Sequence, residues 1–567
     1  MMGHWGNDNL CVSLLHSCIQ VVYWHRTIQD VLTFSLMSVM ARFVFLLMLV
    51  ALSSADQLNR PRRNNRPLDC SRTVDVAIVG AGPSGAYSAY KLRKSNKVVE
   101  LFEFSNRVGG RLYTTTLPNA PDLLLEAGGM RFISEVHVKV EAVTKELGLT
   151  KVPFSLHHGN NANAFYYLRG RTLTSAQVSG GDIPYNLNPE EKANQGRLFR
   201  YYLEKLTGYN GTEVTQDILM QLKLSDGRYM YQVPIDEALD TVATADGKAF
   251  LRALAIFESD GAADTSSLPI FENNLGPENG DFVVQTIKEG FSAIPTKLVD
   301  RFLKASKRHK LTINRRLVSI RNCREGYVLE LVHTNTQNGY TFEKLNRDVV
   351  CARKVILAVP KFALKTIDWS PLRDKRVEDA INAVREVPAN KVFMTFSRPW
   401  WLQNAPHATP VMFSDQAFSQ AYDFGRSNIT GVYTLMTSYS EDSKSSRLLS
   451  LNTKGELLSG SAPGPNRVMT PLAEHILTDL AKAYGMKRSE IPAPITSMSQ
   501  FWVSYPFGCG FVIWKAGYRY DEVISTIQHP SLTDDVFVVG ADHAKGYHVG
   551  WVEGAFASVD RVFSLYF

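Results

Sequence analysis

The sequence predicts a mixed α/β fold in which one parallel sheet is assembled from segments that lie far apart in the chain. Three observations predict it. An apolar, β-branched run at 74–79 is typical of a buried strand and leads directly into a glycine-rich turn and a helix. Residues 136–270 carry mostly helical patterns, whereas 275–357 return to strands. A last buried-strand pattern at 535–539 again leads into glycines and a helix.

The turn after the first strand carries three glycines at G-x-G-x-x-G spacing. Gly80 permits a tight turn, Gly82 lets a pyrophosphate approach the backbone, and Gly85 lets the next helix pack closely on the strand. That helix starts at Pro83 and directs its N-terminal N–H groups at the phosphate. Glu103 ends the second strand, 18 residues after Gly85, where an acid can accept hydrogen bonds from an adenosine ribose. A glycine-rich turn in another kind of α/β protein is the alternative, but the complete pattern favours a Rossmann-like dinucleotide-binding domain.

Further segments suit close contact with a polyanionic cofactor. Residues 107–111 (RVGGR) follow the ribose acid with two glycines and two arginines. Near the C-terminus, 540–542 (GAD) and 550–555 (GWVEGA) bring glycines and acids to a helix N-terminus. The segment 126–132 (EAGGMRF) places Arg131, a rigid bidentate donor, beside a glycine pair. The alternative for Arg131 is an ion pair with a structural carboxylate.

Length, composition and charge limit the classes of protein to which the chain can belong. At 567 residues the chain exceeds what one hydrophobic core supports, so two or three domains are expected. It is 45% hydrophobic and 21% charged, which is ordinary for a globular protein. The net charge of +7 is mild for this length and does not indicate a nucleic-acid partner.

The N-terminus predicts export. Residues 43–52 (FVFLLMLVAL) form an apolar run followed by small residues up to Ala55, as in a secretory signal peptide cleaved there. The run is shorter than the ~20 apolar residues that span a bilayer. We expect translation to start at Met37 or Met40; the alternative is an unusually long signal or anchor.

Two other features agree with export. Asn210 and Asn428 lie in N-x-T triplets and are candidate glycosylation sites. The expected mature chain has four cysteines, which could form up to two disulfides in three possible full pairings. These are Cys70, Cys323, Cys351 and Cys509. Neither a C-x-x-C motif nor a His/Cys cluster indicates a metal site.

Taken together, these motifs and the strand at 390–396 (NKVFMTF) resemble the L-amino-acid oxidases of the flavin amine oxidase family. The resemblance runs from about residue 72 to the C-terminus and is greatest to the secreted gastropod enzymes of the escapin type. It implies non-covalent FAD and oxidative deamination of L-amino acids to 2-oxo acids, ammonia and hydrogen peroxide. It also implies an antimicrobial or defensive role.

The resemblance assigns individual residues. Lys391, otherwise an ordinary surface lysine, matches the lysine that holds a water near the flavin. Arg131 matches the arginine that grips the substrate carboxylate, with Tyr422 as its partner, and Trp551 matches an aromatic wall of the substrate cage. The implied FAD-contacting positions are Gly80, Gly82, Pro83, Ser84, Gly85, Glu103, Arg111, Gly128, Gly129, Met130, Arg131, Val318, Asp542, Gly550, Trp551, Val552, Glu553, Gly554 and Ala555.

The resemblance also implies an architecture of FAD, substrate and helical domains. The expected boundaries are 1–55 for the N-terminal extension and signal peptide and 56–71 for a flexible tail. The FAD-binding domain takes 72–110, 271–357 and 521–567; a sheet-based substrate domain takes 111–135 and 358–520; the mainly helical domain takes 136–270.

Several points stay open at this stage. No histidine matches the base proposed in the venom enzymes. Cys509 falls where monoamine oxidases attach FAD covalently, although amino-acid oxidases usually bind FAD without a covalent bond. L-lysine and L-arginine are the expected substrates; an apolar pocket is the opposite possibility. An amine or polyamine oxidase and a catalytically silent, secreted binding or toxic protein are the alternatives. Four acids could oppose a cationic side chain: Glu258, Asp260, Asp264 and Asp423.

Overall fold

Two large sheets organise the described part of the chain, which comprises residues 70–154, 164–255, 263–276, 282–504 and 506–567 of a computed structural model. The predicted signal peptide, the start at Met37 or Met40 and tail residues 56–69 lie outside these ranges, as do Glu258 and Asp260. Within them, no helix combines the length and the apolar character needed to cross a bilayer.

The strands and helices of the described residues are numbered in chain order. The strands are β1 (Arg72–Val79), β2 (Val99–Phe102), β3 (Thr114–Leu117), β4 (Ala120–Glu126), β5 (Phe132–Ile133), β6 (Lys151–Pro153), β7 (Ala164–Leu168), β8 (Arg171–Thr174), β9 (Val284–Ile287), β10 (His309–Thr312), β11 (Arg315–Cys323), β12 (Gly326–Gln337), β13 (Tyr340–Leu357), β14 (Val384–Val387), β15 (Ala389–Phe396), β16 (Val411–Ser414), β17 (Gln420–Arg426), β18 (Tyr433–Glu441), β19 (Ser497–Phe501), β20 (Phe511–Trp514) and β21 (Val536–Val538). The α-helices are α1 (Pro83–Leu92), α2 (Val138–Leu147), α3 (Ser175–Gly180), α4 (Pro189–Ala193), α5 (Leu198–Thr207), α6 (Gln216–Leu219), α7 (Ile235–Asp240), α8 (Ala245–Ala255), α9 (Ser267–Leu275), α10 (Ala293–Ala305), α11 (Lys361–Leu364), α12 (Lys375–Asn382), α13 (Asp442–Leu451), α14 (Thr470–Ala483), α15 (Tyr520–Gln528) and α16 (Val552–Tyr566).

The first sheet has the order β10-β2-β1-β13-β12-β11, and β21 pairs with β13. Strand β1 is parallel to both β2 and β13, and β13 is parallel to β21. The sheet therefore combines strands from the beginning, middle and end of the chain, which confirms the predicted discontinuous α/β fold. Helices α1, α10 and α16 pack on one face in a shared apolar core.

One strand prediction is wrong in detail. The β character of residues 311–321 (LTINRRLVSIR) predicts one strand. The chain instead forms two strands, β10 and β11, at opposite ends of the strand order of the first sheet. Asn314 lies between them with φ of 56°, a left-handed conformation that extended strands do not contain. The backbone therefore turns there, and β10 pairs with β2 while β11 pairs with β12.

The second sheet has the order β19-β15-β18-β17-β16-β7-β8. Its strand β15 is buried along its whole length, including the polar Asn390 and Lys391. Strands β7 and β8 come from 164–174, inside the segment predicted to be mainly helical. They join this sheet because the aromatic run in β7 pairs in parallel with β16.

Apart from these strands and the short β6, the described elements of that segment are helices, from α2 through α9, as its periodicity predicts. Most of its helices pack around one apolar cluster that also takes side chains from the small β14–β20 sheet. The helical segment is thereby fixed against the strand that follows Gly510.

Of the disulfides left open by the sequence, one forms: Cys70 with Cys351, joining the start of β1 to its neighbour β13. The other two cysteines are free, Cys323 at the surface and Cys509 in the interior. The bond links residues 281 positions apart and so constrains a large part of the unfolded chain.

Replacing Cys70 and Cys351 together by serine is expected to lower the free energy of unfolding by about 2–4 kcal/mol, because the long loop is no longer closed. Denaturant titration without reductant measures this. Cys323→Ser is the control; its thiol is exposed, so a change within about 0.5 kcal/mol is expected. Equal midpoints for the double variant and the parent would contradict a stabilising bond.

Candidate active site

A deep cavity is lined by both large sheets. The first sheet contributes the glycine-rich turn after β1 and the residues that follow β21, whereas the second contributes β15 and β18. The segment 127–131 and aromatic side chains near β20 also line it, together with residues of α9, of β11 and of the segment 358–367.

The turn between β1 and α1 forms a cradle open to the cavity. Gly82 lies at the N-cap of α1 and no side chain caps that helix end. A Cβ atom on Gly82 would reach only Gly110, at 3.7 Å, so the two glycine-rich loops face each other across a narrow gap. A Cβ on Gly85 would lie 1.8 Å from the Gly80 carbonyl oxygen, which explains why glycine is required there. The exposed N–H groups and the gap fit a pyrophosphate.

Glu103 is fixed beside this cradle. Its carboxylate accepts hydrogen bonds from the Ala81 N–H at 2.8 Å and from the Ser105 N–H at 2.9 Å. The side chain lines the cavity and is nearly buried. It is therefore an oriented acceptor at the end of β2, as a ribose requires.

Arg111 and Asp542 connect the RVGGR loop to the segment after β21. The Arg111 guanidinium is 2.5 Å from the Asp542 carboxylate, which also accepts the Lys361 N–H at 2.8 Å. Burial alone would raise the pKa of Asp542, but Arg111 and the Lys361 N–H outweigh it and hold that pKa below its usual value. Asp542 is therefore a fixed anion at the cofactor side of the cavity.

Cys509 does not line the cavity, although Gly510 beside it does. The thiol is buried in the apolar cluster of the helical segment, and burial raises its pKa to about 12. A thiol with this pKa is not the reactive thiolate that covalent attachment needs. The geometry agrees with the expected non-covalent cofactor.

Three consecutive carbonyl groups, those of residues 126–128, accept hydrogen bonds from side chains of the second sheet and its flank. The Lys391 ammonium donates to the carbonyls of Glu126, at 2.9 Å, and Gly128, at 2.6 Å. The indole N–H of Trp502 donates to the Ala127 carbonyl at 2.9 Å. Lys391 is 4% exposed and its Nζ lies 4.9 Å from the centre of the Tyr439 ring. The predicted surface alternative for Lys391 is therefore wrong.

The charge on Lys391 is strongly influenced by its surroundings. Burial lowers its pKa, Glu126 opposes this, and Arg131 lowers it further. The Glu126 carboxylate is also buried; it accepts the Phe291 N–H at 2.9 Å and the Thr114 hydroxyl at 2.8 Å. Burial raises the pKa of Glu126 against the effect of these hydrogen bonds and of Lys391.

Arg131 lines the cavity without a carboxylate partner. Within the described ranges its interactions are with Tyr422, whose hydroxyl lies 3.4 Å from a guanidinium nitrogen, and with the ring of Phe154 at 5.7 Å. Tyr422 is fully buried and donates its own hydroxyl hydrogen to Gln420. The described structure therefore does not contain the structural ion pair that was the alternative for Arg131.

Aromatic rings surround this part of the cavity. Trp551 stands at the N-cap of α16 and stacks on His137, with ring centroids 5.7 Å apart and planes 14° apart. Tyr439 and Trp502 also line the cavity, and sequence reasoning missed both. Only strand pairing could have identified Tyr439, which lies opposite Lys391 in the β15–β18 register.

Most of the predicted site residues line the cavity together, and five do not. Gly85 and Gly554 pack against backbone, and Tyr422 lies behind Arg131. The Glu553 carboxylate instead accepts the N–H groups of Lys139 and Val140 at the start of α2. The residues that line it are Gly80, Gly82, Pro83, Ser84, Glu103, Arg111, Gly128, Gly129, Met130, Arg131, Lys391, Asp542, Gly550, Trp551, Val552 and Ala555.

Val318 is the fifth exception and needs a correction. Its carbonyl accepts the Asp368 N–H, outside the cavity, whereas Leu317 lines the cavity. A register shift between Leu317 and Ser319 interrupts the strand pairing there. A shift of one residue in a strand exchanges its two faces, so the assignment moves to the preceding residue.

Among the described residues of the lining, the acids are Glu103 and Asp542, both on the cofactor side, and there is no histidine. Asp264 instead forms ion pairs with Arg385 and Lys515, and Asp423 does not line the cavity. The described residues also contain no group of three or more His, Cys, Asp or Glu side chains placed to hold a metal ion.

Known proteins resemble this chain over most of its length. The model of flavin containing amine oxidoreductases matches residues 83–562. Achacin from Lissachatina fulica is 46% identical over 92% of this chain and 99% of its own; Aplysianin-A from Aplysia kurodai is 46% identical over 88% and 91%. An L-amino acid oxidase from Cerastes cerastes is 21% identical over 90% and 88%.

A solved structure of putrescine oxidase bound to putrescine has the same fold, with a TM-score of 0.63. It is 19% identical and covers 87% of this chain and 98% of its own. The glycine cradle, the fixed Glu103 and the Arg111–Asp542 pair suit FAD, the cofactor of this flavin-containing family. The chain belongs to the flavin-containing amine oxidoreductase family and is an FAD-dependent oxidoreductase.

Proposed function

We propose that the enzyme is an L-amino-acid oxidase, which converts an L-amino acid, oxygen and water to a 2-oxo acid, ammonia and hydrogen peroxide. One observation carries the proposal. Arg131 presents a guanidinium to the cavity, and no carboxylate of the described chain neutralises it. An α-carboxylate would supply that charge in bidentate geometry. The name of the Cerastes cerastes relative supports the same substrate class.

The residues around Arg131 suit the orientation of an amino acid. The Arg131 guanidinium would hold the two carboxylate oxygens and so fix the α-carbon, while the Tyr422 hydroxyl, 3.4 Å behind it, would hold the guanidinium in place. The aromatic walls would exclude water, and this favours the neutral amine that the reaction requires. When bound, FAD would supply the two-electron oxidation at the α-carbon, with oxygen as the final acceptor of the electrons.

Lys391 would hold or move a proton in this reaction. Two of its Nζ–H groups bond the carbonyls of Glu126 and Gly128, which leaves one position for the cavity. That position carries a third hydrogen in the ammonium form and a lone pair in the neutral form. Because burial lowers the pKa of Lys391, the neutral form is far more accessible than for a solvent-exposed lysine.

An amine or polyamine oxidase is the second candidate, and the putrescine oxidase fold favours it. A diamine has no carboxylate, so it would leave Arg131 and Lys391 facing its own positive charges. Like charges in a site of low dielectric repel strongly. We therefore favour the amino acid.

Secretion and a defensive role are also proposals. The predicted signal peptide, the Cys70–Cys351 disulfide and two exposed asparagines in N-x-T triplets, Asn210 and Asn428, support export. Hydrogen peroxide released outside the cell would act against bacteria. L-lysine and L-arginine remain the expected substrates from the sequence resemblance.

Purified enzyme is expected to release peroxide from L-amino acids and not from amines with the same side chain, such as cadaverine beside L-lysine. Arg131→Ala should lose about 2–5 kcal/mol of transition-state stabilisation for amino acids, because the carboxylate loses its charge partner. Steady-state kcat/KM measures both. Arg426→Ala, at an exposed end of β17, is the control and should keep the parent rate. Faster oxidation of diamines than of every amino acid would refute the assignment.

The cationic preference predicts that kcat/KM for L-lysine exceeds that for L-leucine. Aromatic faces such as Trp551 can attract a cation, whereas an apolar pocket would reject its desolvated charge. Peroxide release from the two substrates at equal pH measures the preference. A tenfold advantage for leucine, about 1.4 kcal/mol, would contradict the cationic preference and leave the oxidase assignment intact.

A catalytically silent, secreted binding protein is the candidate from another class. The oxidase assignment predicts a yellow protein whose flavin absorption is bleached when L-lysine or L-leucine is added in the absence of oxygen. Spectra recorded before and after anaerobic addition measure this. Antibacterial action by a colourless protein in the presence of catalase would instead favour binding.

A further inference from the structure

The Glu126 carboxylate is a buried charge that the proposed reaction does not use. It is 5% exposed and does not line the cavity, so it cannot touch a substrate there. Nevertheless, the backbone carbonyl of the same residue accepts a hydrogen bond from Lys391. The backbone of Glu126 therefore contacts Lys391, whereas its carboxylate contacts other groups.

The Glu126 carboxylate is held by two direct hydrogen bonds and a third that acts through Thr114. Glu126 accepts the Phe291 N–H and the Thr114 hydroxyl, and the Thr114 oxygen in turn accepts the Ser292 N–H at 3.0 Å. Ser292 is the N-cap of α10, so the carboxylate lies beside the positive end of a 13-residue helix. Thr114 and Glu126 are also direct neighbours in the β3–β4 pairing. These contacts leave the carboxylate little freedom to move.

Few charged groups face Lys391 besides Glu126. Arg131 approaches from the segment before β5, and the Tyr439 ring approaches from β18. Burial raises the pKa of Tyr439, so its phenol stays neutral and supplies no counter-charge. Arg131 is a cation and opposes the ammonium form of Lys391. Glu126 is thus the anion that acts on Lys391 within the described structure.

We propose that Glu126 is a positioning residue for the oxidation, acting through Lys391: its fixed carboxylate supplies the counter-charge for the lysine and its carbonyl aims the lysine at the cavity. This rests on the proposed function, in which Lys391 holds or moves a proton. The competing explanation is that Glu126 only joins β4 to α10, as an ordinary structural carboxylate would.

The variant Glu126→Gln separates the two explanations. Glutamine is close in size and can still accept the Phe291 N–H, but it carries no charge. A nearby negative charge favours the protonated lysine, so its loss should lower the pH at which Lys391 releases its proton by about one pH unit. A purely structural role predicts no such change in a folded variant.

The measurement is a pH titration of the Lys391 signal in holoenzyme labelled with lysine carrying carbon-13 at Cε, assigned by its absence in Lys391→Met. The matched control is Glu191→Gln in the helical segment. Glu191 is fully buried and likewise accepts a backbone N–H and a threonine hydroxyl, both from Thr244. Its loss should leave the Lys391 midpoint where it is in the parent. The pH profile of anaerobic flavin reduction should move with the Lys391 midpoint in Glu126→Gln.

Thr114→Val tests the proposal if Glu126→Gln does not fold. It removes a hydrogen-bond donor, which raises the pKa of Glu126, weakens its charge near neutral pH and shifts the Lys391 midpoint in the same direction by less. A parent-like Lys391 midpoint in the folded Glu126→Gln or in Thr114→Val would overturn the proposal. A shifted midpoint in a protein that oxidises no amino acid would uphold the action of Glu126 on Lys391 but refute the proposed function, and with it the role in the oxidation.

Discussion

The segment 126–128 is the constraint on which the site depends, because it links the second sheet to α10 and to the loop that carries Arg111. Its three carbonyls hold Lys391 and Trp502. Behind it, the Glu126 side chain is held by backbone and hydroxyl groups near α10. Gly128 fits so closely on the Arg111 carbonyl that a Cβ would lie 2.0 Å from that oxygen. The position of the lysine is therefore tied to the loop that carries the Arg111–Asp542 pair.

Charge is distributed unevenly along the cavity. The arginines on the cofactor side have carboxylate partners, Arg111 with Asp542 and Arg315 with Asp348. Arg131 has none within the described ranges, and Lys391 contacts neutral carbonyls with Glu126 behind them. This part of the cavity is consequently positive and suits a ligand that brings one negative group. The same field would disfavour a ligand that carries only positive charge.

Local patterns were enough to predict the β1–α1 turn, because strand, turn and helix there follow one another in the chain. The glycine turn, Glu103 and the RVGGR loop required no knowledge of distant contacts. Val318 failed because face and register in a strand change with a single residue. Glu126 was not identified because its partner Phe291 lies 165 residues away and no local pattern reveals that contact. Strands β7 and β8 form a local hairpin that the helical interpretation of 136–270 overlooked; the strand that joins this hairpin to the sheet, β16, follows β7 by more than two hundred residues.

The first sheet also determines when the protein can acquire its cofactor during synthesis. Strand β1 and its glycine turn are made before β21, Asp542 and α16, which come much later in the chain. At about 5–20 residues per second, on the order of tens of seconds separate them. Until α16 arrives, α1 lacks the ring contact of Tyr87 with Phe556 and the pairing of Lys91 with Asp560. The packing around the cofactor cradle is thus completed only after α16 has been made, and a translation product interrupted before α16 would contain the glycine turn without a working site.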